Sequence, residues 1–192
     1  QSASVVLAEI NAESYRQLKQ SVLGEGEGVS ARVVVRPPYA AYDQYVLALA
    51  SSSPRVARNS LVIADGSYAV GYVSKTHKQY ALAQLFSQSA QEVVVSIDGV
   101  LYQAEGIGGG NLEVKLPRSY RDESGNIASL PGSGFVVGTL ADTQFDPQDS
   151  FVRGIISLPI NIYTQELVSV STQAYEPVEE ILNNFDADSQ AD

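Results

Sequence analysis

The chain is expected to fold as an all-β protein behind a short helical lead-in. Three observations lead there. From residue 31 onward apolar residues recur at period two in short runs. Gly, Pro, Asn or Asp separates most of those runs. No long amphipathic helix alternates with them, which argues against a doubly wound parallel sheet.

Residues 4–23 read as helix, because Leu7, Ile10, Leu18 and Val22 fall roughly on one face among Glu9, Glu13, Arg16 and Lys19. The heptad-like steps suit the end of a coiled coil, although Asn11 and Ser14 interrupt the seam. A short surface helix fits the pattern equally well. Gly24, Gly26 and Gly28 then make a hinge-like linker. About eleven strands follow, at 32–36, 45–50, 61–64, 68–73, 80–86, 93–97, 100–104, 111–116, 135–140, 151–158 and 165–170. The run 111–116 is the clearest, with Leu112, Val114 and Leu116 alternating against Glu113 and Lys115. Asp65-Gly66 and Asp98-Gly99 read as hairpin turns. So many short strands indicate a sandwich or a barrel. The domain boundaries drawn from this pattern are 1–30 for helix and linker, 31–170 for the β region, and 171–192 for an acidic tail expected to be disordered. Within that tail residues 178–185 are compatible with a helical turn or two behind Pro177, with Ile181, Leu182 and Phe185 as a small apolar face, and disorder is the competing expectation.

The charge is uneven. Net charge is −10, and residues 171–192 hold six acids and no base, which leaves 16 acids against 12 bases in the rest. A chain of this balance is not built to grip phosphate backbones, so nucleic acid is not an expected partner. The absence of cysteine removes disulfides, thiolate zinc sites and cysteine nucleophiles. With one histidine as well, no transition-metal site can be assembled, and no cofactor is expected. No run of about 18 apolar residues is present. The start at Gln1 without an initiator Met suggests a trimmed fragment, with any anchor lying upstream.

Four groups of residues invite a functional reading. His77, Asp98 and Ser133 stand in the chain order of a two-barrel serine protease triad, where His takes the hydroxyl proton and Asp holds its tautomer. Against that, Pro131-Gly-Ser-Gly134 is also what a tight turn looks like, and His77 lies in a polar stretch expected to be a solvated loop. Gly106-Ile-Gly-Gly-Gly110 resembles a phosphate cradle, but a strand rather than a helix follows it. A sharp bend or bulge is the structural alternative. Asp142, Asp146 and Asp149 offer carboxylates for calcium in a β-rich ligand-binding module, yet their spacing is not that of an EF-hand and Asx-turns in a surface loop explain them as well. Finally, Tyr39, Tyr42 and Tyr45 crowd the segment after Pro37-Pro38 in a chain with eleven tyrosines and no tryptophan. They are candidate anchors for a protein partner, with packing at a barrel seam as the competing role.

One resemblance ties several of these segments together. Arg36-Pro-Pro38 with Tyr42-Asp43 comes first, then Gly106-Ile-Gly-Gly-Gly-Asn-Leu-Glu-Val-Lys-Leu-Pro-Arg118 and Leu130-Pro-Gly132. Asp146-Pro-Gln-Asp-Ser-Phe151 and Leu158-Pro-Ile-Asn-Ile-Tyr163 close the series. In this order and spacing they resemble the rod shape-determining MreC family over residues 31–170. Two segments depart from the family pattern: 51–60, which has no glycine where the family has glycine-rich turns, and the acidic tail.

The resemblance implies two small six-stranded β-barrels, with the lead-in helix as the end of a coiled coil. It implies an extracytoplasmic domain behind an upstream single-pass membrane anchor, periplasmic where an outer membrane exists. It further implies a non-catalytic scaffold of the cell-elongation complex in peptidoglycan synthesis. Expected partners are a class B penicillin-binding protein (the elongation transpeptidase), the membrane protein MreD, the actin-like MreB across the membrane, and further copies of the chain. The matched positions Gly108, Gly109, Gly110, Asn111, Pro117, Arg118, Pro159 and Asn161 are carried over as structural. A chymotrypsin-like hydrolase using His77 and Ser133 is the alternative, since such proteases share the double-barrel shape. Unpaired edge strands are the expected means of self-association.

Overall fold

The computed structural model describes residues 28–40, 43–50, 56–121 and 126–178. The lead-in helix, most of its glycine linker, Tyr42 and the tail beyond Val178 lie outside the described residues.

Among the described residues there are twelve strands: β1 (Gly28–Val35), β2 (Gln44–Leu49), β3 (Ser60–Ala64), β4 (Tyr68–His77), β5 (Tyr80–Leu85), β6 (Glu92–Ile97), β7 (Val100–Gly108), β8 (Asn111–Pro117), β9 (Ile127–Ser129), β10 (Val136–Phe145), β11 (Phe151–Ser157) and β12 (Leu167–Ala174). Their pairings close two rings. The first barrel runs β1-β2-β5-β4-β3-β12 and back to β1, antiparallel throughout. The second runs β6-β7-β8-β11-β10-β9 and back to β6, also antiparallel. The second barrel is therefore inserted between β5 and β12 of the first. A single parallel bridge, Val136 to Tyr68, joins β10 to β4 across the two.

Alternation explains most strands. Tyr45 and Leu47 of β2, with Ala81, Ala83 and Leu85 of β5, fill the first barrel. Val93, Val95 and Ile97 of β6, with Leu112, Val114 and Leu116 of β8, fill the second. β3 breaks the pattern, and every one of its residues is buried. Its Val62 and Ala64 face the first core, while Leu61 and Ile63 join the second cluster. A strand covered on both faces has no solvent side to keep polar, hence the continuous run Ser-Leu-Val-Ile-Ala. Tyr72, Phe86 and Tyr175 stack in the same inter-barrel layer, with ring centroids 5.1–6.1 Å apart.

Several expectations need correcting. β9 was not foreseen, because three residues carry no period, and its cross-strand partners Ser96, Ile97 and Gly138 define it. β4 continues through His77, so that histidine sits at a strand end opposite Tyr80 and not in a loop. β10 continues through Phe145 beside β11, which places Asp142 in a strand. β12 extends to Ala174, so the tail begins later than residue 171. Each of the twelve strands has a neighbour on both sides, so one-sided pairing is confined to strand ends such as Lys75–His77 of β4, Val100–Gln103 of β7 and Asp142–Phe145 of β10. The hairpin turns are as expected, with positive φ at Asp65, Gly66, Asp98 and Gly99.

Candidate functional site

Several hydrogen bonds converge at the junction where the chain passes from the first barrel to the second. Residues 86–91 wrap the end of β7. Gly106 donates its N–H to the Gln91 carbonyl at 2.8 Å and accepts from Ala90 at 3.0 Å, while Gly108 donates to the Ser87 carbonyl at 2.6 Å. A Cβ on Gly106 would stand 2.0 Å from the Gln88 carbonyl oxygen, so only glycine fits. Gly108, Gly109 and Gly110 follow with φ of 89°, 66° and 83°. Three successive left-handed residues turn the chain back into β8 and aim the Gly109 N–H at the first barrel. Asp43 receives it there: its Oδ2 accepts from Gly109 N at 2.8 Å and from Ser87 Oγ at 2.9 Å. The glycine run is thus a joint, held by one carboxylate in charge-assisted bonds. The segment that returns to the first barrel is tied to the same turn, with Leu158 N donating to the Gly110 carbonyl at 2.9 Å.

The other motif positions lie in turns and packing contacts. Asn111 Oδ1 accepts from Ser157 Oγ at 2.7 Å, linking β8 to β11. Pro117 ends β8 opposite Phe151. Arg118 donates to the Pro147 carbonyl at 2.9 Å, and its guanidinium lies 5.1 Å from the Phe145 ring centroid. Pro159 is exposed in the bend after β11. Asn161 Oδ1 accepts from Tyr163 N at 2.9 Å, an Asx-turn.

The tyrosine cluster divides. Tyr39 is 88% exposed beside the cis Pro37-Pro38 bond, with its N–H donated to the Arg36 carbonyl. Tyr42 lies outside the described residues. Tyr45 is fully buried and donates its hydroxyl proton to the Ile162 carbonyl at 2.9 Å, so it is a core residue and not an anchor for a partner. Burial pushes its phenol well above the usual tyrosine range; Arg36 partly offsets that and Asp43 adds to it. Sequence reasoning missed Ile107 and Tyr163, each about half exposed (47% and 46%). Both lie at the glycine joint, where the Tyr163 hydroxyl is 3.5 Å from the position of a Cβ on Gly109. Their signal was proximity in space, which no spacing in the chain reveals.

The catalytic candidates do not meet. Tyr68 is the β4 residue that bridges to Val136, three residues after Ser133, whereas His77 lies nine residues along the strand, a path of roughly 30 Å. Ser133 Oγ donates to the Leu130 carbonyl and accepts from Phe135 N, both at 3.2 Å, which commits it to its turn. Asp98 instead accepts from Asn126 at 3.0 Å. Asp142, Asp146 and Asp149 do not converge either. Asp146 caps Gln148 N at 2.9 Å and Asp149 lies 3.7 Å from Arg153. Among the described residues no group of three His, Asp or Glu side chains is placed to hold a metal ion.

The outer face of the second barrel carries like charges side by side. Glu92 pairs with Glu105 across β6–β7, and Glu105 pairs with Glu113 across β7–β8. Carboxylates directly opposite one another destabilise a sheet. Glu105→Lys converts both contacts to attractive ones and is expected to raise stability by about 0.5–1 kcal/mol in low salt. Urea melts at low and high salt check it; a loss of stability in low salt would contradict the register.

No protein-family model matches the chain, and no curated protein matches it by sequence. Solved structures do. A structure described as MreC superposes with a TM-score of 0.72 at 16% identity, covering 86% of this chain and 98% of that one. MreC from Pseudomonas aeruginosa gives 0.66 at 14% identity, over 76% and 99%. The major periplasmic domain of a cell shape-determining filament, also MreC, gives 0.55 at 17% identity, over 75% and 94%. The fold is that of MreC. In this MreC-like fold the glycine joint, the Asp43 contacts and the inter-barrel aromatic layer hold the two barrels together. No helix among the described residues is long and apolar enough to cross a membrane.

Proposed function

We propose that this chain is a non-catalytic scaffold of the bacterial cell-elongation machinery, which organises peptidoglycan synthesis and cell shape by binding other proteins. The observation that carries the proposal is the double-barrel topology shared with MreC along almost the whole length of solved MreC structures. Dispersal of His77, Asp98 and Ser133 weighs against the hydrolase alternative. The partners proposed are a class B penicillin-binding protein, MreD, further copies of the chain and, through a membrane-anchored longer protein, MreB. The domain works outside the cytoplasm, behind a single-pass anchor, and in the periplasm where an outer membrane exists.

Binding in such a scaffold concentrates in a few exposed aromatic anchors. Tyr39 is the most exposed large apolar side chain among the described residues, and its N–H is held by the Arg36 carbonyl. The test immobilises the chain, passes detergent-solubilised membranes of the source organism over it, and quantifies retained proteins by mass spectrometry. Retention of the transpeptidase, MreD or the full-length protein is expected. Tyr39→Ala is expected to leave the melting temperature unchanged and to lower retention at least tenfold, roughly the loss of one hot-spot residue. Equal retention by the folded variant would remove Tyr39 from the interface, and retention of none of these proteins would count against the scaffold itself.

A further inference from the structure

The strand register of the first barrel defines what its outer face carries. Across β12, β1, β2, β5 and β4, the residues Leu167, Arg32, Ala48, Tyr80 and His77 stand opposite one another in a single row. The next row along β2, β5 and β4 is Val46, Leu82 and Lys75, with Val34 beside it at the β1 bulge. The alternating residues Ala31, Val33, Leu47 and Ala81 are buried in the barrel core, so both rows lie on the outside. Val34, Tyr80 and Leu167 are exposed there, and Val46, Ala48 and Leu82 are half-buried between them. Bases frame this apolar centre. Arg32 lies on one side, Lys75 and His77 on the other, and Lys78 in the turn between β4 and β5. All of these bases are exposed, and the two rows contain no acid. Glu166 stands just outside them, before the start of β12.

We propose that this face of the first barrel binds an anionic lipid surface. Charge is the first argument. The chain carries −10, so exposed bases around an apolar patch with no acid among them are a local reversal of sign. The acids of the second barrel do not cancel it, because a Debye length of about 8 Å at physiological salt screens charges a barrel's width away. Each Lys or Arg held at an anionic membrane strengthens binding about fivefold, so Arg32, Lys75 and Lys78 together supply about a hundredfold. Shape is the second argument. The outside of a closed barrel is convex and offers no cleft to seat a protein partner's side chain, whereas a layer of lipid headgroups conforms to it. Tyr80 suits that layer, since its ring is apolar and its hydroxyl stays among the headgroups. The position of the patch is the third. The chain enters the described fold at Gly28, at the same end of the barrel as the Lys78 turn, where Ala50 N donates to the Ser30 carbonyl and Leu49 N to that of Gln79. A membrane as the source of the negative charge rests on the membrane-anchored reading of the chain.

The test co-sediments the chain with vesicles of phosphatidylcholine, either alone or mixed in about equal parts with phosphatidylglycerol. Binding to the anionic vesicles is expected to exceed binding to the neutral ones at least tenfold in low salt, and to fall toward the neutral level in about 0.5 M salt. Arg32→Gln/Lys75→Gln/Lys78→Gln is expected to melt at the wild-type temperature and to lose at least tenfold of the anionic binding. Lys115→Gln/Arg121→Gln/Arg153→Gln removes the same charge from exposed positions on the second barrel and is expected to bind as the wild type does. The absence of a preference for anionic vesicles would overturn the proposal. So would equal losses in the two triple variants, which would reduce the effect to net charge. Retention on immobilised polyglutamate through Arg32, Lys75 and Lys78, with no vesicle binding, would overturn it too and assign the face to an acidic protein. Vesicle binding needs neither the anchor nor the partner proteins, so its failure is distinguishable from a failed pull-down and leaves the scaffold reading standing.

Discussion

Gly106→Ala is expected to destabilise the protein by about 3 kcal/mol or more, the largest loss for the smallest change anywhere in the joint. The added methyl would stand 2.0 Å from the Gln88 carbonyl oxygen, 2.5 Å from that of Phe86 and 2.7 Å from the Ser87 carbonyl carbon. All three are backbone atoms, so no rotamer change relieves the clash. Moving residues 86–88 away would break the Gly108–Ser87 hydrogen bond, strain the adjoining Gly106–Gln91 and Ala90–Gly106 bonds and disturb Phe86 in the aromatic layer. Gly99→Ala serves as the control, because nothing lies within 4 Å of its Cβ position and only its φ of +78° opposes the change. It is expected to cost about 1 kcal/mol. Urea denaturation of both variants measures the difference, and comparable losses would contradict the packing of the joint.

The second large effect concerns Tyr45, which links the core of the first barrel to the segment returning from the second. Tyr45→Ala removes a fully buried ring and is expected to cost about 3–5 kcal/mol. Tyr45→Phe keeps the ring but leaves the Ile162 carbonyl without its donor, for about 1–2 kcal/mol. Tyr175→Phe is the contrasting case. Its hydroxyl is buried with no hydrogen-bond partner among the described residues, so deleting the oxygen is expected to be neutral or mildly stabilising. The same pair predicts an alkaline limit. Burial raises both phenols above their unfolded value of 10.0, with Tyr72 adding to the effect at Tyr175. A folded-state pKa raised in this way contributes stability that is fully present below pH 10 and is lost as pH rises beyond it. The Tyr45→Phe/Tyr175→Phe double variant is expected to lose less stability between pH 9 and 11 than the wild type. Parallel pH profiles would show that the two hydroxyls are solvated after all.

Period and turn chemistry were enough to place eleven of the strands and both Asp-Gly hairpins, because each of those rests on local alternation or on a residue tolerant of positive φ. What stayed illegible depended on contacts distant in sequence. β9 exists only as a partner of β6 and β10. β4 and β10 each continue into polar residues, Ser74 to His77 and Asp142 to Gln144, since an outward face on a closed barrel may carry any polar side chain. The fate of the three clustered tyrosines could not be decided by their density. Tyr45 points inward on β2 and Tyr39 sits on a turn, a distinction fixed by register and not by composition. The glycine run was legible as a bend but not as a joint, because its partner Asp43 is 66 residues away.

The central claim, a scaffold with no catalytic residue, is tested most directly in cells of the source organism. The native gene is replaced with one encoding His77→Ala/Ser133→Ala in the full-length protein, and the cell length-to-width ratio is measured beside wild-type and depleted strains. Depletion is expected to abolish normal shape, and the double variant is expected to keep it at the wild-type ratio. Rounded or misshapen cells, with the variant present at wild-type abundance and melting at the wild-type temperature, would contradict the scaffold reading and return His77 and Ser133 to consideration as a catalytic pair.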